Sequence, residues 1–563
     1  MSLDTAASWA AVLIVLAVSA KPVGTYMARV FTGQRTVLDP LWLSLEHRLW
    51  RWAGVDLEGS MTAVQYGTAL LLANLAWVVL AYLALRLQSR LPFNPEHFGS
   101  VGPLLAFNTA VSFVTNTNFQ AYAGENTLSY FSQFGVLGYL QFVSPAVGLA
   151  AMAAFLRALG GQPLGNFYRD LTRAVTRLLL PFSVVLALIL MALGIPETLA
   201  PYVHLHLLAG GQAVLPRGPI ASWEAIAHLG TNGGGYTAAN SANPLENPSA
   251  LTNLVEIIAM GLLPVASVYA FGVITGRPKV AWTLMGVAGA FYFIMLGLAY
   301  FPELYGNPVL THLGLASSAN WVGKELRFGL GGSALFQASS LAFTTGSVNA
   351  AVDSYLPLST LGLFLGMFLN MVFGGNGVGL LNLLMFVILT VFLMGLMVGR
   401  TPEFLGKKLE TKEVSLTSLA FLVHPLIILG ATALAVATPA VHATLNHGPR
   451  GLMEILYAFT SSAANNGSAM GGLNAAQPFY LISTGVVMLL GRYLSILFLL
   501  LVAESLQSKK ALPETQGTMH TDTWLFGGAL FSAIVILNAL TFLPVMALGP
   551  IAESYLLGSQ HLF

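Results

Sequence analysis

The sequence predicts an all-α polytopic membrane protein with about ten transmembrane helices. They form four repeats of span, pore helix, filter loop and span around a pseudo-four-fold axis, with one extra helix at each end. Three observations carry this expectation. Hydrophobic residues make up 56% of the 563 residues and charged residues only 8%, where a soluble domain holds about 25% charged residues. Ten apolar segments reach the ~20 residues that a helix needs to cross a bilayer. Four shorter apolar runs, each about 10–14 residues and so too short to cross, are followed at once by small polar residues at a period of about 115 residues.

The long segments run over 8–30, 65–87, 133–157, 175–195, 253–276, 281–301, 361–399, 415–438, 479–505 and 523–548. The first follows MSLDTAASW, which has no basic stretch before its apolar run, so it is expected to remain as a span and not be cleaved as a signal. The shorter runs, 101–114, 219–230, 332–343 and 451–462, suit re-entrant helices. One set of loops carries Arg29, Arg35, Arg48, Arg51, Arg157, Arg169, Arg173, Arg177, Arg277, Lys279, Arg400, Lys407, Lys408, Lys412, Lys509 and Lys510. The other set carries only Arg86, Arg90, Arg217, Lys324, Arg327 and Arg450. Cytoplasmic loops hold the excess of Lys and Arg. The first set is therefore expected in the cytoplasm, with both termini and all four short runs on the outer side. The expected units are an N-terminal helix with a cytoplasmic loop (1–60), pore repeats at 61–165, 166–277, 278–405 and 406–510, and a C-terminal helix (511–563).

A net charge of +1 argues against nucleic acid as a partner, because a nucleic-acid binder presents a basic field. With no cysteine, disulfides, thiolate catalysis and thiolate-held metals are excluded. The sequence contains neither a GxxxxGK[ST] phosphate loop nor a DKTG-type aspartyl-phosphate sequence, so no ATP site is expected in this chain. The eleven histidines show no metal-binding spacing; His204 and His206, on an outer loop, read as structural. No paired carboxylates or His cluster in the spans argue for an intramembrane enzyme.

The four polar stretches read Thr115-Asn116-Thr117-Asn118-Phe119-Gln120, Thr231-Asn232-Gly233-Gly234-Gly235, Thr344-Thr345-Gly346-Ser347-Val348-Asn349 and Ala464-Asn465-Asn466-Gly467-Ser468-Ala469. Irregular backbone at membrane depth is tolerated only where it lines a cavity or is buried in protein. Glycine lets such a backbone aim its carbonyls, since positive φ costs it no steric penalty. A lone Gly-rich loop in a membrane protein is ordinarily a tight turn or a packing site. Four copies with one flanking topology instead point to a ring of carbonyl oxygens, which can replace the hydration shell of a monovalent cation. The short helices would aim their partly negative C-terminal ends at it.

Two further features bear on an ion path. The forty-residue segment 361–399 is interrupted by Gly374-Gly375-Asn376-Gly377-Val378-Gly379, and a Gly-interrupted apolar segment is a pointer to a broken helix. Simple glycine packing would explain it as well. Arg492 lies inside the ninth span, where a charge is expensive and marks a functional site by default. The bland alternative is an arginine that snorkels or is paired structurally, with Glu256 as the candidate partner. Asn240, Asn243, Glu246, Asn247 and Glu125 read as an outer mouth or a solvated turn, and Lys324, Glu325 and Arg327 as a solvated face or an interface.

The strings TNTNFQAYAGEN (115–126), GTNGGGYTAANSANPLENP (230–248), TTGSVNAAVDS (344–354), GRTPEFLGKKLE (399–410) and SSAANNGSA (461–469) resemble the potassium-binding A subunits of the Kdp-type potassium-transporting ATPases, within the wider superfamily of potassium transporters, over essentially the whole chain. The resemblance implies a multi-pass protein of the bacterial inner (plasma) membrane that selects and binds extracellular K+ and passes it toward a P-type ATPase catalytic subunit. A single-span C subunit and a small single-span peptide are the further implied partners. It also implies that K+ binds at Asn116, Asn118 and Gln120 of the first loop, Thr231 and Gly233 of the second, Thr345 and Gly346 of the third, and Asn465 and Gly467 of the fourth. Asn118 stands where the other loops have glycine; asparagine tolerates positive φ better than most residues. Gly374, Gly375 and Gly377 would form a gating loop beneath the ring, and Arg492 a cation that turns K+ sideways. The family commonly has a glutamate just before that loop, where this chain has Asn370. A different class remains open: a stand-alone, potential-driven K+ or Na+ transporter of the same superfamily, gated by a soluble ring.

Overall fold

The structure, a computed structural model, describes residues 3–56, 59–208, 210–315, 319–399, 401–510 and 520–558. Arg400 and the unit boundary expected at 511 lie outside the described residues. Among the described residues ten helices are long and apolar enough to cross a membrane: Leu3–Thr32, Ala63–Arg86, Phe131–Leu159, Phe167–Ala192, Ala250–Ile274, Pro278–Thr311, Val378–Val398, Thr411–Val436, Pro478–Gln507 and Trp524–Gly558. Leu3–Thr32 and Ala63–Arg86 expose Ile14, Val18, Leu72 and Leu80 along their outer faces, the composition that lipid contact allows. Phe131–Leu159, by contrast, is buried without interruption from Val143 to Leu159.

Between the spans lie four shorter helices, Pro103–Val114, Ile220–Leu229, Gly329–Ala342 and Gly448–Ala464. Within two residues of its end each meets a left-handed capping residue: Asn116 (φ 61°), Thr231 (φ 49°), Thr344 (φ 52°) and Asn465 (φ 55°). This conformation ends the helix and turns the chain back.

The seventh expected segment is broken at its glycine interruption into two helices, as a broken-helix reading predicts. Pro357–Leu369 ends at Asn370 (φ 44°), and Val378–Val398 begins after an irregular stretch. Phe373, Gly374 and Gly377 in that stretch also have positive φ, which a continuing helix does not allow. Only the second piece has spanning length.

Three details differ from the sequence expectation. Part of the presumed cytoplasmic loop, Asp39–Trp52, is an amphipathic helix exposing Leu41, Leu45, Leu49 and Trp52. Arg177 holds it in place through Nε to Glu46 at 2.8 Å and Nη1 to Asp39 at 2.5 Å. A small antiparallel hairpin pairs Val203–His206 with Gln212–Leu215, leaving His204 and His206 exposed. Lys324 is not on a solvated face: its Nζ lies 2.6 Å from Glu303 Oε2, and both side chains are almost fully buried. A buried lysine survives when a carboxylate pairs with it, and Glu303 comes from the preceding span, 21 residues away.

Candidate functional site

The C-terminal ends of the four short helices run directly into the four polar stretches, and one backbone pattern serves all four. Four residues before each left-handed cap stand Ser112, Ala227, Ser340 and Ser461. Their carbonyls accept from the amides of Thr117 (2.9 Å), Asn232 (2.9 Å), Thr345 (2.7 Å) and Asn466 (2.9 Å). The serine hydroxyls add further ties, accepting from Gly346 N and Gly467 N at 2.9 Å each and donating to Phe119 O at 3.1 Å and Ser347 O at 2.6 Å. Two residues beyond each cap the backbone is left-handed again, at Asn118 (φ 51°), Gly233 (φ 73°), Gly346 (φ 92°) and Gly467 (φ 104°). In this register the counterpart of Asn116, Thr231 and Asn465 is Thr344, a residue the sequence reading passed over. Thr345 follows it and presents its carbonyl to the second loop.

The loops close on one another in order. Asn118 Nδ2 of the first loop donates to Gly233 O of the second at 3.0 Å. A Cβ on Gly233 would lie 1.8 Å from Thr345 O of the third loop, one on Gly346 would lie 1.9 Å from Asn466 O of the fourth, and one on Gly467 would lie 1.9 Å from Thr117 O of the first. Three of the four junctions thus require glycine for close approach as well as for φ. At the remaining junction Asn118 spends its side chain on a cross-loop hydrogen bond.

Asn116 Nδ2 donates to Thr231 O at 2.9 Å, and Asn465 Nδ2 to Thr117 Oγ1 at 3.0 Å. Gln120 is clipped to the second loop at both ends of its amide, giving Nε2–H to Gly235 O at 2.9 Å and accepting Gly235 N–H at 3.0 Å. All nine of the expected residues therefore lie on the four loops, and all but Gln120 are buried.

The irregular stretch 370–377 passes under this ring. Asn370 accepts from Thr344 Oγ1 at 3.0 Å and donates to Ala464 O at 3.3 Å, bridging the ends of the third and fourth short helices. Asn376 donates its backbone N–H to Thr231 Oγ1 at 3.0 Å and its Nδ2–H to Leu229 O at 2.9 Å, reaching the second. Gly374 N donates to Ala342 O at 2.9 Å. A Cβ on Gly377 would lie 2.3 Å from Gly148 O, whereas one on Gly375 would have its nearest neighbour, Thr231 Oγ1, at 3.5 Å.

Arg492 is 4% exposed and donates from Nη2 to Ser144 O at 2.9 Å. The Ser144 hydroxyl in turn donates to Asn116 Oδ1 at 2.9 Å. Among the described residues Arg492 has no salt bridge. Glu256, its candidate partner, instead takes the Ser241 hydroxyl at 2.8 Å and faces His228.

A family model described as the potassium-transporting ATPase A subunit matches residues 10–555. The chain belongs to that family. It is 49% identical over 551 residues to the potassium-transporting ATPase potassium-binding subunit of Alicyclobacillus acidocaldarius, covering 97% of this chain and 98% of the relative. The subunit of the same description from Mesorhizobium japonicum is 45% identical over 553 residues, with 97% of each covered. Among solved structures, the potassium transporter TrkH from Vibrio parahaemolyticus matches with a TM-score of 0.50 at 16% identity, over 89% of this chain and 98% of that one; this likeness is one of fold. As an A-subunit family member, the chain is a multi-pass membrane protein of potassium transport and a subunit of a potassium-transporting ATPase.

In this A subunit the residues after the second loop brace the ring and are not a solvated turn. Glu246 is fully buried and accepts Tyr236 N–H at 3.1 Å, Thr237 N–H at 2.8 Å and the Thr237 hydroxyl. Burial pushes its carboxyl above the usual carboxylate range. Glu125 accepts Ala238 N–H at 2.9 Å, and Asn243 Nδ2 reaches Thr237 Oγ1 at 3.0 Å. Asn240 gives its amide to Ala238 O at 3.1 Å, and the buried Asn247 is held by the Thr252 hydroxyl at 2.6 Å.

Proposed function

We propose that the chain strips K+ of its water between the four loops and passes the ion to an ATP-hydrolysing partner. The observation that carries this reading is the closed order of contacts, first loop to second, third, fourth and back to first, at matching left-handed positions. Backbone so ordered presents carbonyl oxygens to a common centre, the chemistry that replaces a K+ hydration shell. Four helix C-termini add partial negative charge. Asn116, Asn118, Gln120, Thr231, Gly233, Thr344, Thr345, Gly346, Asn465 and Gly467 are the proposed ring. The units 61–165, 166–277, 278–405 and 406–510 are proposed to supply one wall each.

Below the ring, the stretch holding Gly374, Gly375 and Gly377 acts as the gate. It is tied to three of the four short helices, so its movement and the ring's geometry are coupled. The Arg492 guanidinium repels K+ from a straight exit. We place the ring at the outer face of a bacterial inner membrane, with both termini on that side. The partners in this reading are a P-type ATPase catalytic subunit, a single-span C subunit and a small single-span peptide.

The test is K+-dependent ATP hydrolysis by the purified assembly, compared with Na+ and Rb+. Stimulation by K+ at concentrations where Na+ has no effect is expected. K+ uptake by this chain alone, with no ATPase co-purifying, would sink the proposal in favour of a stand-alone transporter.

A further inference from the structure

Behind the second loop lies a cluster that the ion path does not use. Glu224 and His228 stand one turn apart on the short helix Ile220–Leu229, and Glu256 faces them from the span Ala250–Ile274. All three are fully buried, and each offers a ligand atom within 4.8 Å of the other two.

The hydrogen bonds fix the imidazole. Nδ1 lies 2.9 Å from the Glu224 backbone carbonyl and donates to it, leaving the Nε2 lone pair facing the cluster. Nε2 is 3.5 Å from Glu256 Oε2 and 3.4 Å from Ser241 Oγ. The serine hydrogen is committed to Glu256 Oε2 at 2.8 Å, so nothing here donates to Nε2. No donor reaches either carboxylate oxygen of Glu224 or Oε1 of Glu256; the Glu224 carboxyl stands against that of Glu246, and its Oε2 lies 3.5 Å from His228 Nδ1. Among the described residues no Lys or Arg forms a salt bridge with either carboxylate; the nearby Arg327 is engaged by Glu325 at 2.7 Å and by Asn247 O at 3.1 Å. Two buried carboxylates without a counter-charge and a lone pair without a donor make a costly arrangement unless a cation or protons occupy it.

We propose that Glu224, His228 and Glu256 bind one divalent transition-metal ion of the zinc class, which ties the second short helix to the following span. One imidazole nitrogen and two carboxylate oxygens are a common donor set for such an ion, and two carboxylates neutralise its charge. Tetrahedral ligation at 2.0–2.2 Å separates donor atoms by about 3.3 Å, close to the 3.5 Å between Nε2 and Glu256 Oε2. An Nδ1–H held by a backbone carbonyl is the usual second contact of a metal-bound histidine. The ion would lock the helix that runs directly into Gly230 and Thr231. The competing occupant is protons, with Glu224 neutral against Glu246.

The test is metal content of the full chain, purified in its assembly from cells grown with added Zn2+ and dialysed against metal-free buffer. Elemental analysis should find about one zinc per chain, falling at least tenfold in His228→Ala and in Glu256→Gln. Growth on Co2+ should give the visible absorption of a four-coordinate nitrogen–oxygen site. Should the variants fail to fold, the wild-type protein decides alone. X-ray absorption must show an imidazole-containing first shell at about 2.0–2.1 Å. Wild-type protein with less than about 0.1 zinc, manganese, iron or cobalt per chain, or metal retained in folded His228→Ala, overturns the proposal. None of these readouts depends on K+ transport.

Discussion

Replacing Gly467 by alanine tests the ring where its left-handed φ is largest. Gly467 sits at φ 104°, and a Cβ there would lie 1.9 Å from Thr117 O. Real Cβ contacts stay beyond 3.0 Å, so the two loops must part by at least 1.1 Å. The left-handed conformation itself adds about 1–2 kcal/mol for a residue with a Cβ. Withdrawal of one carbonyl from a dehydrated cation forfeits a charge-assisted contact of about 1.5–3 kcal/mol. At 1.4 kcal/mol per decade, this raises the K+ concentration for half-maximal ATP hydrolysis about 10- to 100-fold. The assay is a K+ titration of hydrolysis by the purified assembly. Gly194→Ala is the control, because Gly194 has φ 101° but nothing within 4 Å of its would-be Cβ. It carries the same backbone strain without the collision, and its half-saturation should stay within about twofold of wild type. If Gly467→Ala leaves half-saturation unchanged, or if both variants shift it equally, the reasoning from loop contact to ion affinity is wrong.

Three other perturbations follow from the same contacts. Gln120→Arg cannot accept Gly235 N–H and adds a cation beside the ring, so half-saturating K+ should rise at least about tenfold with assembly intact; a K+ titration reads it. Asn376→Ala removes the Nδ2 bond to Leu229 O but leaves the backbone contact with Thr231. It should change maximal turnover up to about fivefold and, because the retained tie to Thr231 still couples stretch and ring, move half-saturation by less than about twofold. Lys324→Met strands the buried Glu303 carboxylate and should lower unfolding stability by about 3–5 kcal/mol. Adding Glu303→Gln should recover most of that loss in thermal unfolding.

How much of this was legible in the sequence depended on the length and period of each signal. The ten spans stood out because a bilayer imposes a length and an apolar composition on each helix. The pairs Gly233 with Gly467 and Asn116 with Asn465 could be placed because each glycine or asparagine follows an apolar run. Thr344 was missed because it sits beside a second threonine, which made the third loop's register ambiguous. The four-residue offset from Ser112, Ala227, Ser340 and Ser461 would have resolved it. The helix Asp39–Trp52 was taken for a loop since its Arg48 and Arg51 were weighed as topology markers and its apolar stripe of Leu41, Leu45 and Leu49 was not.

Buried polar partners were the least legible. Lys324 and Glu303 lie 21 residues apart, and Glu246 reads as a loop carboxylate. Their burial is set by tertiary packing, which no local pattern encodes. The orphaned carboxylates of Glu224 and Glu256 likewise emerge only when the short helix is docked on its neighbour.

The most direct measurement is the position of a heavy K+ substitute, Rb+ or Tl+, by anomalous scattering from crystals of the assembly. Peaks lying between Thr117, Gly233, Thr345 and Asn466, abolished in Gly467→Ala and retained in Gly194→Ala, are the predicted result. Strong peaks elsewhere in the membrane domain with none among these four loops would contradict the account.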